Sequence, residues 1–432
     1  MLWEVFRYFS HGWISRYYIE PQIFFTYTGF GWITPWPGAG MYLHFVGLGV
    51  FAVGILVGFY YRVAASLFFL GFTYVFLLDQ ARYLNHFYLI ILFSFLLIFL
   101  PAARAFSIDA RLNPSLRAET APGWTLWLLR AQIGIAYFFG GVAKLNSDWL
   151  RGEPMRMWLA RRTDFPVIGQ FFREEGVVYG FIVGGLLLDL LIVPLLLWRR
   201  TRLVAFLAAV AFHLLNAQLF SIGIFPWFML LATVIFFPPD LPRRSLNFFR
   251  RRTHQPPLTG GPKDAPPAST FATAPGRDRM IAVLVAGYVG VQLLVPLRHF
   301  LYPGDVNWTE EGHRFSWHMK LRDKDAEAVF FVLDRKSGKT WTVEPARLLK
   351  SHQRDKMAAF PDMILQLSHF IADEMRRGGY PDVEVRARVT ASVNGRTPQL
   401  LVDPTVDLSR ERRTLLSARW ILPLTEPLPA RD

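Results

Sequence analysis

The sequence contains no cysteine. This absence excludes disulfide bonds, a thiolate nucleophile, an iron–sulfur cluster and a zinc site with cysteine ligands. Charged residues are also scarce, at 19% of the 432 residues, whereas hydrophobic residues make up 52%. This composition differs from that of an average soluble protein and favours a membrane protein. Any chemistry must therefore use lysine, histidine, amides, carboxylates or a bound cofactor.

Hydrophobic residues occur in long blocks that contain almost no charge. A helix needs about 20 such residues to cross the roughly 30 Å of hydrocarbon in a bilayer. Residues 1–40 are aromatic but interrupted by proline and glycine, which predicts a short amphipathic helix and an interfacial loop. The blocks predict about eight transmembrane helices, near residues 41–61, 63–79, 84–101, 124–143, 177–198, 202–219, 222–238 and 280–297.

The net charge of +14 does not indicate nucleic-acid binding, because the basic residues cluster in loops beside the apolar blocks. One set of alternate loops holds roughly twice as many lysines and arginines as the other, and this set is predicted to be cytoplasmic. Residues 253–279, rich in proline, glycine, serine and threonine, predict a flexible cytoplasmic linker. The linker would join a transmembrane domain (41–252) to the last transmembrane helix (280–297).

The composition becomes polar after residue 298. Alternating patterns predict strands at 314–321, 327–333, 340–343 and 383–393, with a hairpin turn at 334–338. One helix is predicted from Pro361 to the Gly378-Gly379 pair. The predicted fold is a polytopic α-helical membrane protein of about eight spans, with a C-terminal β-rich extramembrane domain (298–432) that contains a helix and faces the exterior.

Ionisable residues inside or beside the spans are costly in hydrocarbon and are therefore candidates for function. Lys144 ends the fourth predicted span, and two interpretations of it are open. Its ammonium can extend to the membrane interface, or burial can disfavour the ammonium and leave a neutral amine that acts as a base. Arg130 and Asp189 either neutralise one another across helices or take part in chemistry.

Two of the candidate residues are histidines. His86, next to Asn85, opens the third span, and His213 lies in the sixth with Asn216 and Gln218. A lone intramembrane histidine commonly makes an interhelical hydrogen bond, and no spacing here is typical of a haem or zinc site. The residues alone thus indicate an intramembrane polar cavity open to the exterior, which suits an enzyme with a lipid-soluble substrate, a transporter or a receptor.

Several long motifs resemble the vitamin K-dependent gamma-carboxylase family, including bacterial members with a horizontally transferred transmembrane domain. They cover nearly the whole chain in one order. The motifs are YVFLLD at 74–79, LNHFYL at 84–89, YFFGGVAKLNSDW at 137–149, GEPM at 152–155, FHLLNAQLFSIGIF at 212–225, the stretch 296–317, SVNGR at 392–396 and DP at 403–404.

The resemblance implies a carbon–carbon lyase that acts on reduced vitamin K, a hydroquinone, with O2 and CO2 and without a metal. Such enzymes form the 2,3-epoxide of the quinone, and a strongly basic intermediate removes a proton from the γ-carbon of a glutamate, to which CO2 then adds. The implied partners are membrane lipid, the quinone and a glutamate-containing peptide or protein. The implied location is a bacterial inner membrane, with the active site facing the periplasm.

Lys144 matches the family's catalytic base, and His86 matches its second active-site residue. The resemblance further implies that Asn85, His213, Asn216 and Gln218 belong to the cofactor pocket, and Arg130 is a further candidate for cofactor binding. Two alternatives remain open. One is quinone epoxidation without protein carboxylation, which needs only the pocket. The other is a non-catalytic membrane protein that binds quinone or lipid.

Overall fold

The computed structural model describes residues 1–118, 120–220, 222–253 and 275–429. The predicted linker therefore lies mostly outside the described residues. The described strands are β1 (Lys324–Asp334), β2 (Thr340–Val343), β3 (Val383–Val393) and β4 (Gln399–Leu400). The described α-helices are α1 (Leu2–Ser10), α2 (Gly40–Val57), α3 (Tyr61–Leu78), α4 (Asn85–Phe99), α5 (Ile108–Leu112), α6 (Gly123–Val142), α7 (Ser147–Leu150), α8 (Met155–Ala160), α9 (Glu175–Leu197), α10 (Arg202–Phe220), α11 (Phe225–Thr233), α12 (Leu241–Arg252), α13 (Pro275–Leu297), α14 (Val306–Thr309), α15 (Ser351–Ala359) and α16 (Pro361–Arg377).

The predicted polytopic helical membrane domain is confirmed. Among the described residues, six helices are long and apolar enough to cross a membrane, namely α2, α3, α6, α9, α10 and α13. The predicted spans 84–101 and 222–238 form shorter apolar helices, because Pro101 follows α4 and Pro238-Pro239 follows the last turn of α11. After that turn the chain bends by 91° into α12.

The helices alternate in direction, so the bundle has two distinct ends. Arg130, near the start of α6, donates from Nε to the Ile235 carbonyl at 3.1 Å, and Arg202 donates from Nε to the Leu196 carbonyl at 2.8 Å. The starts of α6 and α10 therefore lie together with the ends of α9 and α11. We call this the basic end, and the opposite end, where α6 and α10 finish, the cavity end.

The C-terminal domain (residues 302–429) lies at the cavity end. Its sheet is antiparallel with strand order β2-β1-β3-β4, and Phe330 of β1 faces Ala387 of β3 in the register. The strands confirm the prediction at 327–333, 340–343 and 383–393. Helix α16 confirms the predicted helix and packs on β3 through buried residues such as Ile364 and Leu367. Helix α15, which was not predicted, packs on β1.

The strand predicted at 314–321 is wrong. Phe315, Trp317 and Lys320 have φ values of 66°, 58° and 50°, which lie in the left-handed region and interrupt an extended strand. Trp317 is only 1% exposed, so the segment turns repeatedly to bury large side chains. Apolar and polar residues alternate in this segment because the irregular backbone buries side chains on two sides, and not because it forms a strand.

The N-terminal loop and the C-terminal domain are packed together. Ile23 and Phe25 belong to the apolar core of that domain. Gln353 of α15 donates to the Ile23 carbonyl at 2.8 Å and to the buried carboxylate of Asp79, which follows α3, at 2.9 Å. These contacts fix the domain over the cavity end of the bundle.

Candidate active site

A cavity of about 580 Å³ lies at the cavity end, between α6, α8, α9, α10, α11 and residues 317–320. This volume is within the range of small-molecule sites. Its walls are mostly apolar, while Lys144, Asp189, His213 and Asn216 place polar groups in it. Large apolar side chains in the wall include Trp149, Trp158, Phe181, Phe212, Phe225 and Trp317.

Lys144 is buried in this cavity and bound to a carboxylate. The end of α6 places it two residues after Val142, and the side chain is 7% exposed. Its Nζ lies 2.5 Å from Oδ2 of Asp189 on α9 and donates to the Gly140 carbonyl at 3.2 Å. The ring of Trp149 lies 5.4 Å from the same nitrogen. The amine thus lies inside the protein, and the interpretation in which it extends to the interface is not what the structure shows.

The two glycines before Lys144 allow α6 and α9 to approach closely. A Cβ atom on Gly141 would lie 2.6 Å from Cδ2 of Leu190, and one on Gly140 would lie 3.3 Å from Oδ2 of Asp189. Larger residues at these positions would separate the helices and the two charged groups. The Gly-Gly pair therefore positions the lysine and the carboxylate.

The proposed pairing of Arg130 with Asp189 is wrong. Arg130 lies at the basic end, where its guanidinium donates to the Ile235 and Phe237 carbonyls at the end of α11. Asp189 lies at the cavity end with Lys144. A single carboxylate pairs best with the nearest buried cation, and the direction of α6 places Lys144 beside it rather than Arg130.

His213 of α10 lies in the cavity wall with Tyr137 and Asn216. Nε2 of His213 and the hydroxyl of Tyr137 share a hydrogen bond of 2.7 Å, and His213 is 1% exposed. This bond joins α6 to α10 across the cavity. The interhelical hydrogen bond expected of a lone intramembrane histidine is therefore present.

His86 and Asn85 lie beside the cavity rather than in its wall. The imidazole of His86 is 5.8 Å from the ring of Phe225, which itself lies 6.0 Å from His213. Asn85 donates from Nδ2 to the His318 carbonyl at 3.1 Å and accepts from the Tyr83 hydroxyl at 2.9 Å. Asn85 thus fastens the segment that carries Trp317, and the ring of Phe225 lies between His86 and His213.

A second group of ionisable side chains is provided by residues 313–324 and α15. We call His313, Arg314, His318, Arg322, Lys324 and Lys356 the cationic cluster. One of the carboxylates near it is Glu310, which accepts from Arg322 at 2.6 Å and from Lys324 at 3.4 Å. The Nε and Nη2 atoms of Arg314 and both ring nitrogens of His318 are buried without a hydrogen-bond partner among the described groups.

Burial lowers the pKa values of basic groups in this cluster. It lowers the pKa of His318 to about 3, with the neighbouring His299 and Arg322 acting in the same direction. Burial also lowers the pKa of Lys324 to about 8, although Glu310 opposes the shift. The cluster has more buried donors than acceptors and would be stabilised by an additional anion.

Two models of known protein families match this chain. A model of the HTTM domain matches residues 1–241, and a model of the lumenal domain of vitamin K-dependent gamma-carboxylase matches residues 277–427. The chain belongs to the vitamin K-dependent gamma-carboxylase family. No solved structure matches it. The HTTM match covers the helices that line the cavity, and the match to the carboxylase lumenal domain covers the cationic cluster and the cavity residues 317–320.

Gln218 is the last of the predicted site residues. It is not among the described residues that line the cavity. Its carbonyl accepts from Arg162 at 3.1 Å, which joins α10 to the loop after α8. Lys144, His213 and Asn216 are therefore brought together in the cavity, whereas Gln218, Arg130 and Asn85 make structural contacts elsewhere.

Sequence reasoning missed several residues of the cavity. Asp189 was recognised as a buried ionisable group, but nothing in the sequence indicates that it pairs with Lys144. Met319 and Lys320 lie in the cavity wall as well. They escaped notice because their segment was predicted to be a strand of the extramembrane domain. Among the described residues, no three histidine, aspartate or glutamate side chains lie close enough together to hold a metal ion.

Proposed function

We propose that this protein converts a reduced naphthoquinone to its 2,3-epoxide with O2 and couples this oxidation to carboxylation of a peptide glutamate. The overall balance is hydroquinone, O2, CO2 and a glutamate γ-CH2 going to epoxide, water and γ-carboxyglutamate. The observation that carries the proposal is the buried Lys144–Asp189 pair in an apolar cavity. The resemblance in sequence, which implies that this lysine is the base, supports the proposal.

The cavity has the properties that a naphthoquinone ring requires. Its volume of about 580 Å³ and its aromatic walls suit a flat apolar ring, and its polar groups come from different helices, with Lys144 and Asp189 between α6 and α9 and His213 on α10. O2 would be the oxidant, and the bound hydroquinone would be the group that is oxidised. The protein would hold the ring between Trp149, Trp317 and Phe212, and would exclude water.

Asp189 bears directly on how Lys144 can act. An ammonium beside a carboxylate cannot take up a proton, so Lys144 is a base only while its amine is free of the extra proton. Because the pair has no net charge whether the proton lies on Nζ or on the carboxyl group, either form can exist in the apolar cavity. In the amine form, Nζ can accept a proton from a hydroquinone hydroxyl, and the ammonium then formed remains beside Asp189.

The cationic cluster supports the carboxylation half of the proposal. The glutamate substrate brings one carboxylate and the product has two, so the site must accommodate negative charge. Arg314 is buried, and the side chains of Arg322 and Lys324 are 14% and 3% exposed. These three cations lie on the segment that also places Trp317 and Met319 in the cavity wall. A glutamate side chain bound by these cations would lie next to the quinone site.

The distribution of charge supports an orientation. The loops at the basic end carry most of the arginines of the membrane domain, so we place this end in the cytoplasm of a bacterial inner membrane. The cavity and the C-terminal domain would then face the periplasm. A periplasmic peptide could reach the cationic cluster from that side.

The test is turnover by the purified protein in detergent. Given vitamin K hydroquinone and O2, the protein should form epoxide, and with a glutamate-rich peptide and labelled bicarbonate it should also incorporate label. A Lys144→Met/Asp189→Asn double variant, which leaves no unpaired buried charge, should form no epoxide. Lys350→Met removes another lysine that is paired with a carboxylate, Glu20 at 3.0 Å, but on the surface of the C-terminal domain, and should retain full activity.

The outcomes separate the alternatives. Epoxide without incorporated label would reduce the proposal to a quinone epoxidase. Binding of the quinone without turnover by the wild type would indicate a quinone-binding membrane protein. Equal epoxide formation by wild type and the double variant would remove Lys144 from the chemistry.

A further inference from the structure

Helix α12 (Leu241–Arg252) lies far from the cavity and plays no part in the proposed function. It follows α11 at the basic end, after the 91° bend. An apolar helix that points along the bundle is thus joined to one that runs nearly perpendicular to it. If the bundle spans a bilayer, α12 lies along the plane of the membrane surface at this end.

The sequence of α12 has two distinct faces. At 100° per residue, Leu241, Leu246, Phe248 and Phe249 fall on one side of the helix, where the last residue of the helix, Arg252, is the only charged side chain. Leu246, Phe248 and Phe249 are 42%, 53% and 61% exposed, so the protein itself leaves this side uncovered. Exposed aromatic and aliphatic side chains at the end of a membrane bundle are suited to the boundary between headgroups and acyl chains.

The other side of α12 is strongly basic. Arg243, Arg244, Arg250 and Arg251 fall there, and Asp240, just before the helix, pairs with Arg244. The excess of positive charge extends across the basic end through Arg111, Arg199, Arg200, Arg202, Arg277 and Arg279. The described carboxylates near these loops are few, namely Asp109, Asp240 and Asp278. Such a surface is complementary to negatively charged lipid headgroups.

We propose that α12 lies in the headgroup layer of the protein's own membrane and binds anionic phospholipid. Its apolar side enters the boundary of the acyl chains, and its arginines contact phosphate groups. The occupant of the apolar side is therefore the bilayer and not a second copy of the chain or another protein. Each arginine near such a surface changes affinity by about fivefold.

The absence of cysteine allows a direct test, because one introduced cysteine carries one label. A spin label at Leu246→Cys reports on the apolar side, and one at Asn247→Cys reports on the basic side. The protein is reconstituted in vesicles of phosphatidylcholine alone or with about 30% phosphatidylglycerol, as in anionic membranes. The label at 246 should be accessible to dissolved O2 and protected from a water-soluble nickel reagent, and the label at 247 should show the reverse.

A second measurement does not depend on labelling. The phosphatidylglycerol that remains with the protein through purification is quantified by mass spectrometry for wild type and for Arg243→Gln/Arg244→Gln/Arg250→Gln/Arg251→Gln. The variant should lose at least about tenfold of its enrichment over phosphatidylcholine. A matched control, Arg347→Gln/Arg354→Gln/Arg376→Gln/Arg377→Gln in the C-terminal domain, should keep it.

Two results would overturn the proposal. One is unchanged enrichment of phosphatidylglycerol in the α12 variant. The other is a label at 246 that is freely accessible to the nickel reagent in vesicles, which would mean that water covers the helix, or one that is inaccessible to both the nickel reagent and O2, which would mean that protein covers it. Neither result depends on quinone turnover, so the proposed enzymatic function is tested separately.

Discussion

Lys144 and Asp189 form an ion pair inside an apolar cavity. The two side chains are 7% and 6% exposed, so water screens neither charge effectively. A buried pair of this kind adds little to the free energy of unfolding compared with apolar residues of similar size. The loss of one partner, however, leaves an isolated charge in a medium that cannot solvate it.

The first prediction concerns this pair. Lys144→Met and Asp189→Leu should each lower the free energy of unfolding by about 3–5 kcal/mol, while the double variant should be more stable than either single variant. Denaturant titration in mixed micelles measures all four proteins. The exposed pair Arg376–Asp373 serves as control, since Arg376→Met should cost at most about 1 kcal/mol. Additive losses in the double variant would show that the two charges do not interact.

The second prediction concerns Tyr137. Tyr137→Phe removes the hydroxyl that is bound to Nε2 of His213 and leaves that buried nitrogen without its partner. The expected cost is about 1–3 kcal/mol of the free energy of unfolding. Thermal unfolding in detergent provides the measurement, with Tyr60→Phe, at a tyrosine that is 67% exposed, as a control that should show no change. Equal stability of both variants would argue against the hydrogen bond.

At the scale of elements, the turn after β3 holds the short helix that follows Lys144. Asp148 of α7 accepts from both terminal nitrogens of Arg396 at 2.6 and 2.8 Å and from Nδ2 of Asn394 at 2.8 Å. Asn394 also accepts from the Asp323 amide at 2.9 Å. The turn therefore joins the loop that contains Lys144 to the segment that carries the cationic cluster. It holds the cavity and the cationic cluster in position relative to each other.

The third prediction is the pH dependence of this contact. Burial alone would raise the pKa of Asp148, but the hydrogen bonds from Arg396 and Asn394 outweigh burial and hold the pKa below its usual value of 3.8. A lowered pKa in the folded state stabilises the fold above pH 3.8, and this contribution is lost as the pH falls below that value. The melting temperatures of wild type and Asp148→Asn, measured from pH 3 to 7, should therefore differ most at neutral pH and converge in acid. A constant difference would mean that the carboxylate is not held in this way.

For the whole molecule, the two ends of the bundle differ in charge and in what covers them. The C-terminal domain lies over the cavity end, where Asn85, Asp79 and Asp148 bind it. In the part of the chain that the structure describes, the opposite end includes the connection 100–122, the turn 198–201 and α12, and it is rich in arginine. This asymmetry favours a single orientation in the membrane, and the proposed function would have its substrate enter from the side of the C-terminal domain.

The fourth prediction tests that orientation. Ser115→Cys at the basic end and Ser351→Cys in the C-terminal domain are exposed sites in a chain without other cysteines. A membrane-impermeant maleimide should label position 351 from the outside of intact spheroplasts and position 115 only in inverted vesicles. Labelling of both positions from the same side would contradict the arrangement of the helices.

The fold was largely predictable where one strong physical effect, such as burial in hydrocarbon, sets the pattern of neighbouring residues. The apolar blocks predicted the membrane helices because hydrocarbon requires them, and alternation predicted β1 and β3 because one side of each strand is buried. The segment 314–321 was mispredicted because its backbone conformation depends on how Trp317 and Phe315 pack against distant parts of the chain. The same reason explains why α15 was missed, since its periodicity is weak and its packing on β1 stabilises it.

The sequence by itself determined that this chain is a polytopic membrane protein, that its chemistry cannot use a thiol, and that buried ionisable groups such as Lys144 and His213 had to be satisfied within the fold. These conclusions follow from composition and from the cost of charge in hydrocarbon. Only the tertiary structure decided that Asp189 pairs with Lys144 rather than with Arg130 and that Phe225 separates His86 from His213. Partners of this kind are distant in sequence and are chosen by helix direction and close packing, which no local pattern encodes.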